Sequence, residues 1–479
     1  MKKTTLKILT LLVGFSLILS GCSLLGGSTT TIKAEKVTLE FWGVFDTPEA
    51  YADIIKSYTT AHPNITINYK KLRWEEYESE LLNAWAEDRG PDIFMVHNSW
   101  VGKYQTKLFP MPAETKIPIL IEKKSAFKNT TETSLEVKKT PTPEKLKELF
   151  VPTVYGDAVR GNQIWGLPLA VDSLVLFYNR ALFNTSNVIA PPKTWTELSG
   201  TDSISGLAKT ITRVDPANNQ KIVRSAVAMG TASNNNRALD LVSLLMMQRG
   251  EILVDTNGLA TYNSKSKSQG GESALGFYLS FANPQKQNYT WNDSLATEAT
   301  DSFVQGRLAM MFGYVYQYPF LRAQAPSLDI GIAGVPHLSA DGSDYYSGQS
   351  VNLANYWLLG VAKKSKHPNE AWGFINFATM DSFANAKNIL TYRAESYLAS
   401  NAGITTKLRT PALRSLVAKY KDDEKFQPAL SQVLTAKSWY RGKDPGALEQ
   451  SVKQFINDFL YNNRNIRDAA NLPSQLLQN

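Results

Sequence analysis

Residues 37–96 alternate between strand-type and helix-type hydrophobic patterns, and this alternation restricts the chain to a few fold classes. Apolar residues occupy every second position in 37–42 and 65–69, and 92–96 is a short apolar run typical of a buried strand. Between them, 48–62 and 75–88 carry apolar residues at helical spacing, with Pro48 suited to a first helical position. The order β-α-β-α-β predicts an α/β fold that begins with a parallel sheet and right-handed crossovers.

The rest of the chain extends this pattern over 479 residues, a length that favours two or three packing units. Strands are predicted near 329–335 and 356–361, between helices near 237–249, 272–282, 296–308, 367–380, 411–420 and 447–461. Residues 113–147 interrupt the rhythm with Lys, Thr, Glu and several Pro and show no clear period. We expect a surface insertion or a mobile loop there.

The counts of cysteine and histidine exclude several kinds of site. One Cys cannot form an intramolecular disulfide or a Cys-based zinc or iron–sulfur site, and four His disfavour a histidine metal cage. We therefore expect neither a metal nor a cofactor. The formal net charge is +8, to which the first 21 residues contribute Lys2, Lys3 and Lys7. Elsewhere basic and acidic residues alternate, which disfavours a nucleic-acid partner.

The N-terminus has the pattern of a targeting signal. A basic start precedes a 12-residue apolar run, 8–19, which would form roughly 18 Å of helix, short of the roughly 30 Å of bilayer hydrocarbon. The following sequence Leu19-Ser20-Gly21-Cys22 resembles a bacterial lipobox. This resemblance implies a signal peptide at 1–21, lipidation of Cys22, a flexible tether at 22–35 and a body held outside the cytoplasmic membrane. An ordinary secretory signal with an incidental Cys is the alternative.

Five short passages follow one another in the order and spacing of a known family. They are 37–42 (VTLEFW); 90–96 (GPDIFMV); 166–172 (GLPLAVD) with 176–179 (LFYN); Phe303, Gly306, Ala309, Met310 and Gly313; and 359–365 (LGVAKKS) with Ala371, Trp372 and Phe374. Together they resemble the family 1 extracellular solute-binding proteins, the receptor lipoproteins of ABC importers, whose best-known members bind maltose and other oligosaccharides. The resemblance covers about 36–461. The sequence departs from the family pattern at the 113–147 insertion and at 391–395, where relatives commonly have a Pro.

The resemblance implies a two-lobe α/β fold of the class II periplasmic-binding-protein type, with a mainly parallel sheet in each lobe and ligand held in the cleft between them. Lobe one would comprise 36–168 and 336–392, and lobe two 172–332 and 396–479. Strands would cross between the lobes near 168–172, 331–336 and 393–397. Closure of the hinge over a sugar or oligosaccharide would present a surface that the ABC permease recognises.

Candidate ligand-binding residues follow from the chemistry of sugars, whose apolar faces pack on aromatic rings and whose hydroxyls bind carboxylates, amides and Arg. Trp42 and Asp46 end the first strand, although Trp42 has a core position as its alternative. Asn98, Ser99 and Trp100 follow the third strand, where Asn98 and Ser99 are equally suited to cap a helix.

Further candidates lie in a crossing segment and in loops. Asp172 is an acid in an apolar segment, where a buried charge needs a partner, either ligand hydroxyls or a protein donor. Trp291 lies in a polar loop, where we expect an exposed aromatic ring. Tyr314 and Tyr316 share one face if the chain is extended there, with a half-buried strand as the alternative. The remaining candidates are Gly348, Gln349, Arg393 and Trp439.

Two other function classes are compatible with a secreted protein of this size. A surface glycosidase needs two carboxylates about 5 to 10 Å apart, and only Asp172 is a plausible acid in a cleft segment. The sequence also lacks the H-E-x-x-H, G-x-S-x-G and P-loop motifs. A receptor for a peptide, polyamine or metal chelate is the second alternative. A polyamine site would need several acids in the cleft, and only Asp46 and Asp172 are candidates. We expect a monomeric binding protein without enzyme activity.

Overall fold

The computed structural model describes residues 33–124, 129–218, 221–251, 270–295, 298–338, 350–380, 409–423, 427–440, 442 and 444–462. The strands in these ranges are β1 (Val37–Val44), β2 (Ile65–Leu72), β3 (Ile93–His97), β4 (Leu108–Phe109), β5 (Glu114–Lys124), β6 (Asn129–Lys139), β7 (Val159–Arg160), β8 (Gln163–Ile164), β9 (Asp172–Asn179), β10 (Arg213–Asp215), β11 (Lys221–Val227), β12 (Leu308–Tyr314), β13 (Ile330–Ala333), β14 (Asn352–Asn355), β15 (Trp357–Ala362) and β16 (Ala436–Lys437). The α-helices there are α1 (Pro48–Ala61), α2 (Trp74–Ala86), α3 (Val101–Tyr104), α4 (Pro143–Leu149), α5 (Pro152–Ala158), α6 (Arg180–Thr185), α7 (Trp195–Ser199), α8 (Leu207–Ile211), α9 (Ala238–Gln248), α10 (Gly270–Ser280), α11 (Ala299–Val304), α12 (Tyr318–Gln324), α13 (Pro368–Thr379), α14 (Arg414–Tyr420), α15 (Gln427–Gln432) and α16 (Pro445–Tyr461).

Lobe one is built on a five-stranded sheet of order β2-β1-β3-β15-β4. β1 pairs in parallel with β2 and β3, which confirms the parallel start predicted from the sequence, and β15 and β4 complete the sheet in antiparallel orientation. Phe41 of β1 and Tyr51 of α1 are both fully buried and meet edge to face at 5.0 Å. Because the three strands are parallel, their carboxyl ends lie at one edge of the sheet.

Lobe two is built on a seven-stranded sheet of order β10-β11-β12-β9-β14-β16, in which β13 also pairs with β9. Its central strand, β9, is apolar along nearly its whole length because helices cover both faces. Two hydrophobic clusters form its core, with Trp195 in one and Phe303 in the other, both fully buried. No helix within the described ranges is both long and apolar enough to cross a membrane.

The crossings between the lobes agree with the sequence at one point and differ at another. Leu167 forms a bridge to Leu359 of lobe one, and Asp172 begins β9 of lobe two, so the chain crosses between the lobes within 168–172. The crossing expected at 331–336 is wrong, because β13 pairs with β9 inside lobe two. The chain returns to lobe one later, at Tyr356, between β14 and β15. The third crossing, expected at 393–397, lies outside the described residues.

Two other segments belong to a different lobe from the one that the resemblance implied. β14, assigned to lobe one within 336–392, pairs with β9 of lobe two. α14, assigned to lobe two within 396–479, packs on lobe one, where Leu413 just before it bridges Phe150. Both segments are short and contact partners far away in sequence, so their local patterns carry no information about the lobe that they join.

Residues 113–147 contain a regular β-hairpin and α4, which corrects the mobile loop expected as the alternative to a surface insertion. β5 and β6 pair antiparallel from Glu114 with Lys139 to Lys124 with Asn129. Ile117 is buried against α13, where Gly373 leaves room for it, since a Cβ on that glycine would lie 2.3 Å from Ile117 Cδ1. Only a short stretch of one face of the hairpin is buried. Lys, Thr and Glu occupy the other positions, so the sequence shows no alternation of apolar and polar residues.

Candidate functional site

A cavity of about 550 Å³ lies between the two lobes, where β1, β2 and β3 end. Its volume is within the roughly 300–1,000 Å³ typical of small-molecule sites. Lobe one contributes most of the aromatic side chains and lobe two most of the polar ones. The lining includes Phe45, Trp74, Glu78, His97, Ser99, Trp100, Lys103 and Trp357 on one side and Asp172, Asn236, Arg237, Asp240, Tyr316, Asn355, Trp439 and Glu449 on the other, with Arg409 between them.

Four aromatic rings form the wall on lobe one, and we call Phe45, Trp74, Trp100 and Trp357 the aromatic ledge. The ring of Trp74 is nearly parallel to those of Phe45 and Trp100, with centroids 6.0 and 5.5 Å away. Trp357 meets the Trp74 ring edge to face at 5.4 Å. Phe45 and Trp74 remain 46% and 43% exposed. Rings that hold one another in place while remaining partly exposed provide an apolar surface for a ligand.

Phe45 adopts a backbone conformation that is unusual for a bulky residue. Its φ is +63°, in the left-handed region, which costs an L-residue about 1–2 kcal/mol. The turn directs the ring outward, next to Trp74, at the point where β1 ends. Backbone strain of this kind concentrates at ligand sites, since the surrounding structure must compensate for it. The conformation therefore supports a role for Phe45 in binding.

His97, at the end of β3, is a neutral hydrogen-bonding bridge beneath the ledge. Burial lowers its pKa to about 4, so the ring is uncharged near neutral pH. Nδ1 lies 2.7 Å from Ser99 Oγ, and Nε2 lies 3.1 Å from Oδ1 of Asn355 in lobe two. Its ring also meets that of Trp357 edge to face at 5.1 Å. His97 thus orients the ledge and joins it to the other lobe.

Asp172 is the buried acid of the lobe-two wall. It is 5% exposed, and its Oδ1 has no hydrogen-bond partner among the described residues. Burial raises its pKa to about 6, while the Arg409 cation and a backbone hydrogen bond from Thr410 act in the opposite direction. A buried oxygen of this kind has an unmet capacity to accept hydrogen bonds, which ligand hydroxyls would fill.

Arg409 connects the two acids that the sequence singled out. It forms an ion pair with Asp46, which is fully buried, and its side chain is 14% exposed toward the cavity. Asp46 also accepts a hydrogen bond from Tyr51 Oη at 3.0 Å. Asp46 is therefore engaged behind the lining, whereas Arg409 and Asp172 face the cavity.

Arg237 organises the rest of the lobe-two wall. It forms an ion pair with Asp240 at 3.1 Å, and its guanidinium lies over the Tyr314 ring at 5.1 Å. Tyr316 stacks in parallel on Tyr314, with centroids 6.0 Å apart, and is 38% exposed. Burial raises the pKa of Asp240, and the Arg237 cation opposes that shift. The stack holds the Tyr316 ring at the cavity.

The structure brings five of the predicted residues to the cavity: Ser99, Trp100, Asp172, Tyr316 and Trp439. Asn98 and Tyr314 lie behind the lining and are buried, as Asp46 is. Tyr314 and Tyr316 do not alternate along an extended strand as expected, because β12 ends at Tyr314 and a 3₁₀ turn follows. Four predicted residues lie outside the described ranges: Cys22, Gly348, Gln349 and Arg393.

Two predicted tryptophans lie away from the cavity. Trp291 is fully buried and donates through Nε1 to Asn234 Oδ1 at 2.9 Å, which corrects the expectation of an exposed ring. A polar flanking sequence suggested exposure, but the polar neighbours satisfy the indole instead. Trp42 is half-buried beneath Lys70 of β2, whose Nζ lies 4.6 Å from the ring centroid, as in the core position considered as its alternative.

Sequence reasoning missed Phe45, Trp74, Trp357, Arg237, Asp240 and Arg409 as lining residues. Trp74 follows the end of β2, so the rule that candidates lie where strands end, applied to the second strand as well, would have found it. Phe45 stands beside a candidate acid after the first strand, at the same sheet edge. Arg409 had no local signal, because its partner Asp46 is 363 residues away in the chain.

Comparisons with known proteins identify the family. The family model of bacterial extracellular solute-binding proteins matches residues 46–382. This chain belongs to that family. A putative binding protein of Brucella abortus is 18% identical over 330 residues, 68% of this chain and 67% of that protein.

Solved structures of binding proteins share the two-lobe fold. An ABC transporter solute-binding protein of Thermotoga lettingae, bound with α-D-tagatose, has a TM-score of 0.64 at 18% identity and covers 92% of this chain and 98% of its own. An ABC substrate-binding protein of Listeria monocytogenes in complex with cycloalternan has a TM-score of 0.66 at 15% identity, covering 93% and 98%. The solute-binding family places this chain among extracytoplasmic binding proteins and confirms the resemblance found in the sequence.

Proposed function

We propose that this solute-binding protein is the receptor of an ABC importer and captures a neutral sugar or short oligosaccharide in the cavity between its lobes. The observation that carries the proposal is the pairing of two unlike walls. The exposed rings of Phe45 and Trp74 suit the apolar face of a pyranose. Asp172 across the cavity suits its hydroxyls, since one buried carboxylate oxygen has no partner among the described residues.

The ion pairs around the cavity disfavour an anionic solute. Lys103 pairs with Glu78 at 2.7 Å, Arg237 pairs with Asp240, and Arg409 pairs with Asp46. An anionic ligand would compete with the carboxylates already paired with these cations, whereas a hydroxyl only adds a hydrogen bond. The solved relatives bound with tagatose and cycloalternan support the same solute class.

The same proposal includes hinge closure around the solute and release to a permease, without chemical conversion of the solute. It includes anchoring through lipid on Cys22, so that the monomeric body works beside its importer at the outer face of the cytoplasmic membrane or on the periplasmic side. Replacement of Cys22 by Ser is expected to abolish labelling of the protein with a fatty-acid analogue in growing cells and to release the body from membranes. Equal labelling of both forms would refute the anchor.

Calorimetric titration of the mature chain carrying Cys22→Ser tests the solute class. The panel contains mono- and oligosaccharides together with amino acids, peptides and polyamines. We expect saccharide binding that Trp74→Ala and Asp172→Asn each weaken at least tenfold. Phe320→Ala is the matched control, because Phe320 is also an exposed aromatic residue, at 52%, but lies outside the cavity lining.

Each alternative has its own result in this experiment. Binding of a peptide or polyamine, with no saccharide bound, would refute the sugar and retain the receptor. Appearance of cleaved saccharide during the titration would refute a purely binding function and favour a glycosidase. Loss of binding in Phe320→Ala equal to that in Trp74→Ala would show that the cavity has been assigned wrongly.

A further inference from the structure

Three chain segments that line the cavity meet behind it at one buried carboxylate, that of Asp157 in α5. Asp157 is 1% exposed, and its Oδ2 accepts hydrogen bonds from three hydroxyls. Tyr356 Oη donates at 2.7 Å, Thr153 Oγ1 at 3.3 Å, and Ser438 Oγ also donates. Hydrogen bonds to a charged acceptor are stronger than those between neutral groups, so this junction is firmly held.

A fourth side chain closes the network. Asn98 Nδ2 donates to Ser438 Oγ at 2.6 Å, its backbone N donates to Tyr356 O at 3.0 Å, and its Oδ1 accepts from Tyr356 N at 3.3 Å. Asn98 is 3% exposed and does not line the cavity. Asn98, a predicted ligand-binding residue, is therefore hydrogen-bonded to Ser438 and Tyr356, the residues whose hydroxyls bind Asp157.

Each segment held by this network carries a cavity-lining aromatic residue one or two positions further along the chain. Trp100 follows Asn98, Trp357 follows Tyr356, and Trp439 follows Ser438. A backbone fixed at one residue restricts the position of the next, so the network sets where these three rings stand.

The network also joins the two lobes. α5 belongs to the lobe-one core, through Val154 and Ala158. Ser438 directly follows β16, which pairs with β14 in the lobe-two sheet. Tyr356 is the residue at which the chain crosses from β14 to β15. A change in the angle between the lobes would therefore have to strain or break the bonds that converge on Asp157.

We propose that Asp157 is a positioning residue that stabilises the relative placement of the lobes seen here and, through it, the geometry of the binding cavity. The effect on solute affinity rests on the proposed function, whereas the effect on lobe placement does not. Without the carboxylate charge, the hydroxyls of Tyr356 and Ser438 have a weaker acceptor, and a wider range of lobe angles becomes accessible.

Small-angle X-ray scattering of the ligand-free mature chain carrying Cys22→Ser tests lobe placement directly. We expect Asp157→Asn to increase the radius of gyration, and Ser438→Ala to do so to a smaller extent. Ser438→Thr retains the hydroxyl and is expected to keep the wild-type scattering curve. Asp458→Asn is the matched control, since Asp458 is also buried, at 8%, but lies in α16 away from the network.

Affinity is measured on the same proteins with the saccharide that binds the wild type most tightly. We expect Asp157→Asn to weaken binding about tenfold, because neutral hydrogen bonds replace charge-assisted ones. Unchanged scattering and affinity in Asp157→Asn and Ser438→Ala, each shown to unfold in one transition, would overturn the proposal. If Asp157→Asn does not fold, Ser438→Ala decides the question, together with the scattering curve of Tyr356→Phe, since Tyr356 itself lines the cavity. Failure of the wild type to bind any saccharide would refute the proposed function, and scattering would still decide lobe placement.

Discussion

Solute affinity is expected to fall as pH decreases below 6, because ionised Asp172 is a stronger hydrogen-bond acceptor for solute hydroxyls than protonated Asp172. Its pKa is raised by burial to about 6 in the ligand-free protein. Protonation turns one carboxylate oxygen into a donor and removes the charge that strengthens hydrogen bonds from the solute. His97 does not contribute over this range, since burial lowers its pKa to about 4.

The size of the effect follows from the fraction of ionised Asp172. At pH 5, about a tenth of the molecules carry the ionised form, so the apparent dissociation constant rises about tenfold relative to pH 7.5. Stability of the ligand-free protein changes in the opposite direction. The folded pKa is above the ordinary value of 3.8, so a cost on the order of 2 to 3 kcal/mol is fully present above pH 6 and disappears as pH falls toward 3.8.

Calorimetric titration with one saccharide at pH 5.0, 5.5, 6.0, 6.5 and 7.5, in two buffers at constant ionic strength, measures this dependence. Asp172→Asn is expected to bind weakly and almost equally at all five values. Asp458→Asn is expected to keep the wild-type profile. A wild-type affinity that does not change between pH 5 and 7.5, or an unchanged decline in Asp172→Asn, would refute the assignment of the carboxylate. An unchanged decline in Asp172→Asn would point instead to Asp240, because burial raises its pKa as well.

Two further predictions concern strain and packing. Phe45→Gly removes the left-handed strain of about 1–2 kcal/mol, at a conformational entropy cost of about 0.5–1 kcal/mol. Its melting temperature is therefore expected to exceed that of Phe45→Ala, while both variants lose saccharide affinity. Equal melting temperatures of the two variants would contradict the strain. Ile117→Ala is expected to lower the free energy of unfolding by about 2–5 kcal/mol in denaturant titration. Ile121 lies on the same strand but is 40% exposed, so Ile121→Ala is expected to lower it by less than about 1 kcal/mol. Similar losses in the two variants would show that the hairpin does not pack on α13.

Element type was predictable wherever a long segment buries one face. The helices expected at 237–249, 367–380 and 447–461 are confirmed within a few residues as α9, α13 and α16. The strands expected at 329–335 and 356–361 are confirmed as β13 and β15. In each of these elements, local periodicity reports burial, and burial is what the fold imposes on the segment.

The pairing of segments was less predictable than their type. β14 has only four residues, and its partners, Asp172 and Ser173 in β9, are about 180 positions away. The β5–β6 hairpin buries so few side chains that its mostly polar sequence shows no strand-like alternation. Short elements and thinly buried ones obtain their stability from tertiary contacts, which leave almost no local trace in the sequence.

The binding site shows how a distant residue distinguishes positions that look equivalent in the sequence. Asp46, after the first strand, and Asp172, in a crossing segment, were both candidate acids, and both are buried. Arg409 pairs with Asp46 behind the lining, while Asp172 keeps an oxygen without a partner among the described residues and a pKa raised to about 6. One acid thus anchors the arginine, and the other is the acid that we propose binds the solute. Because Arg409 is more than 230 positions from either acid, only the folded chain could assign these two roles.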